Sequence, residues 1–254
     1  MLDDLMPSFS EPSVLLVCLA AAVGGAVRGF AGFGGAMVFM PVASAVIDPR
    51  IAAAAFLVMD DIVALPMAFK AVRICDWRTI LPAVVAAMLT VPLGAYVLAH
   101  SDPQLLRWGI SLLVLCLLVL LISGWRYKGR PTMPISFGVG MTSGFLSGAS
   151  QIAGPPVIAF WMSGPSQAQV IRANLIVYFA IASLGAFAAF WWNGFFTMDV
   201  ARLLVVIMPA NAVALFLGTR AFAFASEKTF RRVAYALIAI AAIGSLPALD
   251  GVLR

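Results

Sequence analysis

Apolar residues run along the chain in eight long stretches, at about 13–47, 51–69, 79–99, 104–124, 134–163, 169–192, 200–219 and 230–248. Polar residues gather in the short intervals between them. The runs are continuous and do not alternate, so they predict helices and exclude the strands of a transmembrane barrel. A helix crossing about 30 Å of hydrocarbon needs roughly 20 residues at about 1.5 Å each. Six stretches fit one crossing apiece. The first and fifth do not, because glycine and proline break them. The first reads Arg28-Gly29-Phe30-Ala31-Gly32-Phe33-Gly34-Gly35 and then Pro41. The fifth reads Ser143-Gly144-Phe145-Leu146-Ser147-Gly148-Ala149-Ser150-Gln151 and then Gly154-Pro155-Pro156. Glycine at that density lets the backbone leave the helix. Each of the two therefore predicts a broken hairpin.

Composition turns this pattern into a class. Of 254 residues, 63% are hydrophobic and 11% charged, with a mean hydropathy of +1.04. An ordinary soluble domain is about 25% charged, and no soluble fold of this size hides so much apolar surface. A soluble enzyme, a disordered chain and a nucleic-acid-binding domain are excluded, although the pI is 9.5. The chain is an all-α polytopic membrane protein, with the lipid bilayer as its first partner. The expected first segment lacks the basic start of a signal peptide, since it opens Met1-Leu2-Asp3-Asp4, and is expected to be retained. Cys18, Cys75 and Cys116 are scattered and read as buried reduced thiols. His100 stands alone in a loop signal, so neither a metal nor any other cofactor is expected.

Charge sets the threading. One basic loop carries Lys70, Arg73 and Arg78, a second Arg126, Lys128 and Arg130, and a third Arg220, Lys228, Arg231 and Arg232. All three belong in the cytoplasm. The third stays there only if the fifth stretch crosses an even number of times, which makes it a hairpin entered from the cytoplasm. The same reasoning makes the first stretch a hairpin entered from outside. Eleven basic and two acidic residues then lie inside, and four basic and seven acidic outside. Arg28, Asp60 and Asp61 remain within the membrane. The tryptophans fall mostly near span ends, as an interfacial belt.

An internal repeat accompanies the hairpins. A shift of 115 residues aligns Gly25 with Gly140, Gly29-Phe30 with Gly144-Phe145 and Pro41-Val42 with Pro156-Val157. A shift of about 124 aligns Gly94 with Gly218. Residues 1–124 thus form a first repeat, 125–133 a cytoplasmic loop and 134–254 a second repeat. Each is a hairpin followed by three spans. An odd number of net crossings inserts the two repeats in opposite senses, an architecture recurrent among secondary transporters.

The candidate chemistry lies at the hairpin tips. Tips meeting near the midplane would present helix N-termini, whose free N–H groups and positive dipole ends suit an anion. The first tip offers Gly29, Gly32, Phe33, Gly34 and Gly35, and the second Ser147, Ser150, Gln151 and Gly154. The competing reading is that the glycines only let helices pack closely. Arg28 is a costly guanidinium in hydrocarbon, and its fork fits sulfite, sulfonate, carboxylate or phosphate. Its alternatives are neutralising Asp60 or Asp61, or reaching the headgroups. Asp60 and Asp61 are neighbouring carboxylates in low dielectric, so one could hold a proton and couple transport to the proton gradient. Asn174 and Tyr178 stand near the equivalent place in the second half. Asn211 reads as a helix-packing group.

These two glycine-rich motifs together resemble the two repeats of the TauE/SafE family, over nearly the whole chain. The second departs from the family's denser glycine run at Ala149-Ser150-Gln151-Ile152-Ala153. The resemblance implies a bacterial inner-membrane exporter of sulfite, an organosulfonate or a related sulfur oxyanion, working by alternating access. A small-anion channel with the same fold is the alternative. An intramembrane enzyme rests only on Gly148-Ala149-Ser150, with no histidine in any span to activate the serine. A homo-oligomer is compatible with the pattern. No Walker motif is present, so the chain is not an ATP-driven pump by itself.

Overall fold

The computed structural model describes residues 11–31, 33–124, 132–162, 168–221 and 227–250. Among them are ten α-helices and no strand: α1 (Glu11–Ala31), α2 (Gly35–Val46), α3 (Pro49–Ala71), α4 (Trp77–His100), α5 (Pro103–Ile122), α6 (Met133–Ser150), α7 (Gly154–Trp161), α8 (Ala168–Trp192), α9 (Met198–Ala221) and α10 (Glu227–Gly244). A 3-10 turn follows at Pro247–Leu249. Five helices are long and apolar enough to cross a membrane: Glu11–Gly29, Trp77–His100, Pro103–Ile122, Gln169–Trp192 and Met198–Arg220. Large apolar side chains such as Leu15, Leu89, Val119, Leu184 and Val213 stand exposed, as lipid-facing residues do. The protein is multi-pass and helical.

Both hairpins form, and their arms are unequal. The first pairs the 21-residue α1 with the 12-residue α2, and the second the 18-residue α6 with the 8-residue α7. At about 1.5 Å per residue, α2 is about 18 Å long and α7 about 12 Å, both too short to cross alone. The aligned prolines differ in role. Pro41 lies inside α2, whereas Pro155 and Pro156 open α7.

The helices gather into two compact units, each drawing on both halves of the sequence. One holds α1, α2, α3 as far as Met59, α5 through Val119, α9 and α10. The other holds α3 from Asp60, α4, α6, α7 and α8. Each is built on a glycine seam. In the first, α1 lies on α9. A methyl group on Gly25 would come within 2.7 Å of the Asn211 carbonyl oxygen, Gly29 presses on the Leu215 carbonyl, and Gly218 on that of Ala26. In the second, α6 lies on α4. Gly140 presses on Ala83, Gly144 on Ala87, and Gly148 on the Val91 carbonyl. Absent side chains bring backbones this close, as small residues do in membrane helix pairs. A polar bond crosses each seam. Asn211 Nδ2 donates to the Ala21 carbonyl at 3.0 Å, and Thr90 Oγ1 to the Met141 carbonyl at 2.8 Å.

The seams correspond pair by pair. Gly25–Asn211 matches Gly140–Ala83, Gly29–Leu215 matches Gly144–Ala87, and Ala26–Gly218 matches Met141–Thr90. The offset is 115 on the hairpin helix and 128 on its partner. The sequence alignment of Gly94 with Gly218 uses an offset shorter by four residues, about one helical turn.

Two further expectations change. Trp161 is not interfacial. It is buried, with Nε1 donating to Thr79 Oγ1 at 3.3 Å and its ring edge-on to Tyr178 at 5.5 Å. Trp191 and Trp192, at the end of α8, keep the belt pattern and are exposed. The three cysteines are free thiols, but Cys116 is exposed and Cys18 and Cys75 are half-buried.

Candidate functional site

The starts of four ordinary spans differ from those of the short hairpin arms. Four N–H groups at each start need partners outside the helix. Asp48 Oδ1 accepts from Arg50 N at 2.7 Å at the start of α3. Asp76 Oδ1 accepts from Arg78 N at 3.1 Å at the start of α4. Asp102 Oδ1 accepts from Gln104 N at 2.8 Å at the start of α5. Thr197 Oγ1 takes Val200 N at 3.4 Å before α9. These are side-chain N-caps, two of them followed by a proline suited to the first helical position. No side chain caps α2 or α7. Nor does one cap α6, which starts beside the basic loop. The start of α2 differs from that of α6 in being buried, at Gly35, Ala36 and Met37.

At the first hairpin, the turn between α1 and α2 rests on Gly34, whose φ of 93° lies in the left-handed region. A side chain there would be strained, and its Cβ would sit 3.3 Å from Val27 Cγ1. Phe33 is half-buried in the turn. Arg28 occupies the last turn of α1 and is half-buried. A Cβ on Gly35 would lie 3.4 Å from Arg28 Cβ, so the arginine stem flanks the first residue of α2. The stem of Arg28 and a buried, uncapped helix start therefore share one place. Gly29 belongs to the seam with α9 and faces backbone. Gly32 lies outside the described residues.

At the second hairpin, Gln151 ends α6 in the left-handed conformation, with φ 59°. Its backbone N and its Nε2 both donate to the Ser147 carbonyl, at 3.0 and 2.9 Å. Ser150 Oγ donates to the Leu146 carbonyl at 3.0 Å. Ser143 Oγ, buried, donates to the Ala153 carbonyl at 2.8 Å and fastens the turn to α6. Pro155 and Pro156 deprive the start of α7 of two N–H groups. Ser147 is buried, and its carbonyl accepts both bonds from Gln151. Gly154 is not a packing glycine: a Cβ there would meet only Ile158 of its own helix, at 3.5 Å.

The family's sequence profile, described as "Sulfite exporter TauE/SafE", matches residues 17–245. The chain belongs to the TauE/SafE family. It is 28% identical over 184 residues, 69% of this chain and 70% of its relative, to a protein of Cupriavidus necator H16 named "Probable sulfite/organosulfonate exporter TauE". No solved structure matches the chain.

The match to the sulfite-exporter profile includes both hairpins and both seams. Asp60 and Asp61 lie half-buried at the middle of α3, where that helix passes from one compact unit into the other. Asn211 is a packing group, as its bond to Ala21 shows. Asn174 Oδ1 accepts from Asp76 N at 2.8 Å, which ties α8 to the start of α4. His100 is exposed and stacks on Tyr96 at 4.0 Å. Ser143 escaped the sequence reading as a site residue. Its spacing of four from Ser147, one turn along the same helix face, is the signal that could have found it.

Proposed function

We propose that the protein is a secondary transporter that exports a small anion, sulfite or an organosulfonate, across the bacterial inner membrane by alternating access. Its two sequence halves are inverted repeats, a reading supported by the constant offsets of the seam pairs. The observation that carries the anion is the buried start of α2, uncapped and flanked by Arg28, in a chain where α3, α4 and α5 begin on aspartate caps. N–H groups at a helix start and a guanidinium fork both favour an oxyanion. The family and the name of the Cupriavidus relative support sulfur oxyanions as the class. Each hairpin is a station for the anion, the first through Arg28 and the N–H groups of Gly35 and Ala36, the second through Ser147 and Gly154.

Proteoliposomes loaded with sulfite or taurine test this. Efflux should saturate with internal anion. A protein that moves neither anion, with or without a pH gradient, ends the proposal. Single-channel currents would move the chain to the channel class. Asp60 and Asp61 are the groups for proton coupling. Asn at the responsible position should abolish pH-driven efflux and spare sulfite binding. Unchanged pH dependence in both variants would remove these carboxylates from the mechanism.

A further inference from the structure

Tyr178 is fully buried in α8. It lies in an apolar cluster with Val157, Phe160 and Trp161 of α7 and Ala83 and Ala87 of α4. Its ring is held edge-on by Trp161 at 5.5 Å and by Phe179 at 5.4 Å. Its hydroxyl has no hydrogen-bond partner among the described residues. Ser143 stands beside it, but the two hydroxyls do not reach hydrogen-bond geometry, and Ser143 donates its hydrogen bond to the Ala153 carbonyl. That bond places the phenol next to the turn that opens α7. An unmade hydrogen bond in a dry core is destabilising, and phenylalanine would fill the same space without it. A tyrosine here thus calls for a partner that comes and goes.

Beyond Ser147 and Gly154, the second hairpin offers few donors. Two prolines remove N–H groups from the start of α7, and Ser143, Ser150 and Gln151 all donate to backbone carbonyls. Nothing from a neighbouring element presses on Gly154. We infer that Tyr178 is a substrate-binding residue of the second hairpin, its hydroxyl donating to an oxygen of a small sulfur oxyanion seated at the Gln151–Gly154 turn. This rests on the anion-transport reading above and adds the donor that the prolines withhold. The phenol would also favour anions with a strong acceptor oxygen over halides, which accept hydrogen bonds weakly.

Tyr178→Phe removes the hydroxyl and keeps the ring. Sulfite binding to the purified protein, read as heat, should weaken by about tenfold or more. The thermal midpoint without sulfite should stay the same or rise, because the orphaned hydroxyl is gone. A merely structural tyrosine would lower the midpoint instead. Equal sulfite affinity in the variant and the parent overturns the role of Tyr178 and leaves the transport proposal standing. A parent that neither binds nor transports sulfite or taurine overturns both. Should the variant fail to fold, Tyr96, Tyr127 and Tyr235 can be changed to Phe, leaving Tyr178 as the sole tyrosine. Labelled with 3-fluorotyrosine, its 19F line should move on addition of sulfite, and a line that stays in place refutes the contact.

Discussion

The two hairpins solve one problem with different chemistry. Each must break a helix and restart it inside apolar surroundings. The first does so with glycine, since Gly34 takes the left-handed turn freely and leaves the buried start of α2 without a side-chain cap. The second uses Gln151 in that conformation and ties the strained residue down with two bonds to the Ser147 carbonyl. It restarts on Pro155 and Pro156, so fewer N–H groups remain. Like helix breaks therefore need not mean like chemistry. The two seams are built alike, while the two tips differ.

The sharpest test sets seam glycine against tip glycine. Gly144→Val would drive a side chain into Ala87 and Thr90. It should destabilise by about 3 kcal/mol or more and abolish the monodisperse peak in detergent. Gly154→Ala should stay within about 1 kcal/mol of the parent, because no neighbouring element is in the way. Similar losses in both would erase the distinction between packing and site glycines. The next largest effect is on transport. Arg28→Gln should fold, yet slow sulfite efflux tenfold to about a hundredfold, with Arg28→Lys in between. Efflux at the parental rate in Arg28→Gln would take the first hairpin out of anion binding.

The turns themselves give smaller differences. Gly34→Ala should lower stability by about 1–2 kcal/mol, the cost of a left-handed L-residue. Gln151→Gly relieves that strain and loses one side-chain bond, so its net change should be under about 1 kcal/mol. Denaturation in mixed micelles measures both, and the reverse order would contradict the contrast between the turns. The smallest effects compare the two seam bonds. Asn211→Leu and Thr90→Val should each cost about 0.6–1.7 kcal/mol, the range for hydrogen bonds between membrane helices. A much larger loss in one would show that the seams are not equivalent.

Much of this was legible in the sequence because the bilayer narrows the choices. Apolar runs located the helices, and glycine with proline marked both breaks. The register of the repeat was less legible. Seam glycines recur every four residues, as at Gly140, Gly144 and Gly148, and a four-residue slip returns nearly the same helix face. Gly94 could thus be aligned with Gly218 although the contacts pair Gly218 with the place of Thr90. The tip residues were legible by position and not by task. Nothing in the string distinguishes Gly29, which meets the α9 backbone, from Gly154, which meets no neighbouring helix. Whether a serine hydroxyl is already engaged depends on which carbonyl lies within reach, and that is decided by folding.

Near the end of the described chain, Arg107 on α5 grips Asp250 with both guanidinium nitrogens, at 3.0 and 2.9 Å. The arginine side chain is only 15% exposed. Replacing Asp250 with asparagine would leave that half-sheltered cation without its counter-charge. The clasp therefore pins the 3-10 turn that follows α10 to the start of α5, joining two segments 143 residues apart in the chain.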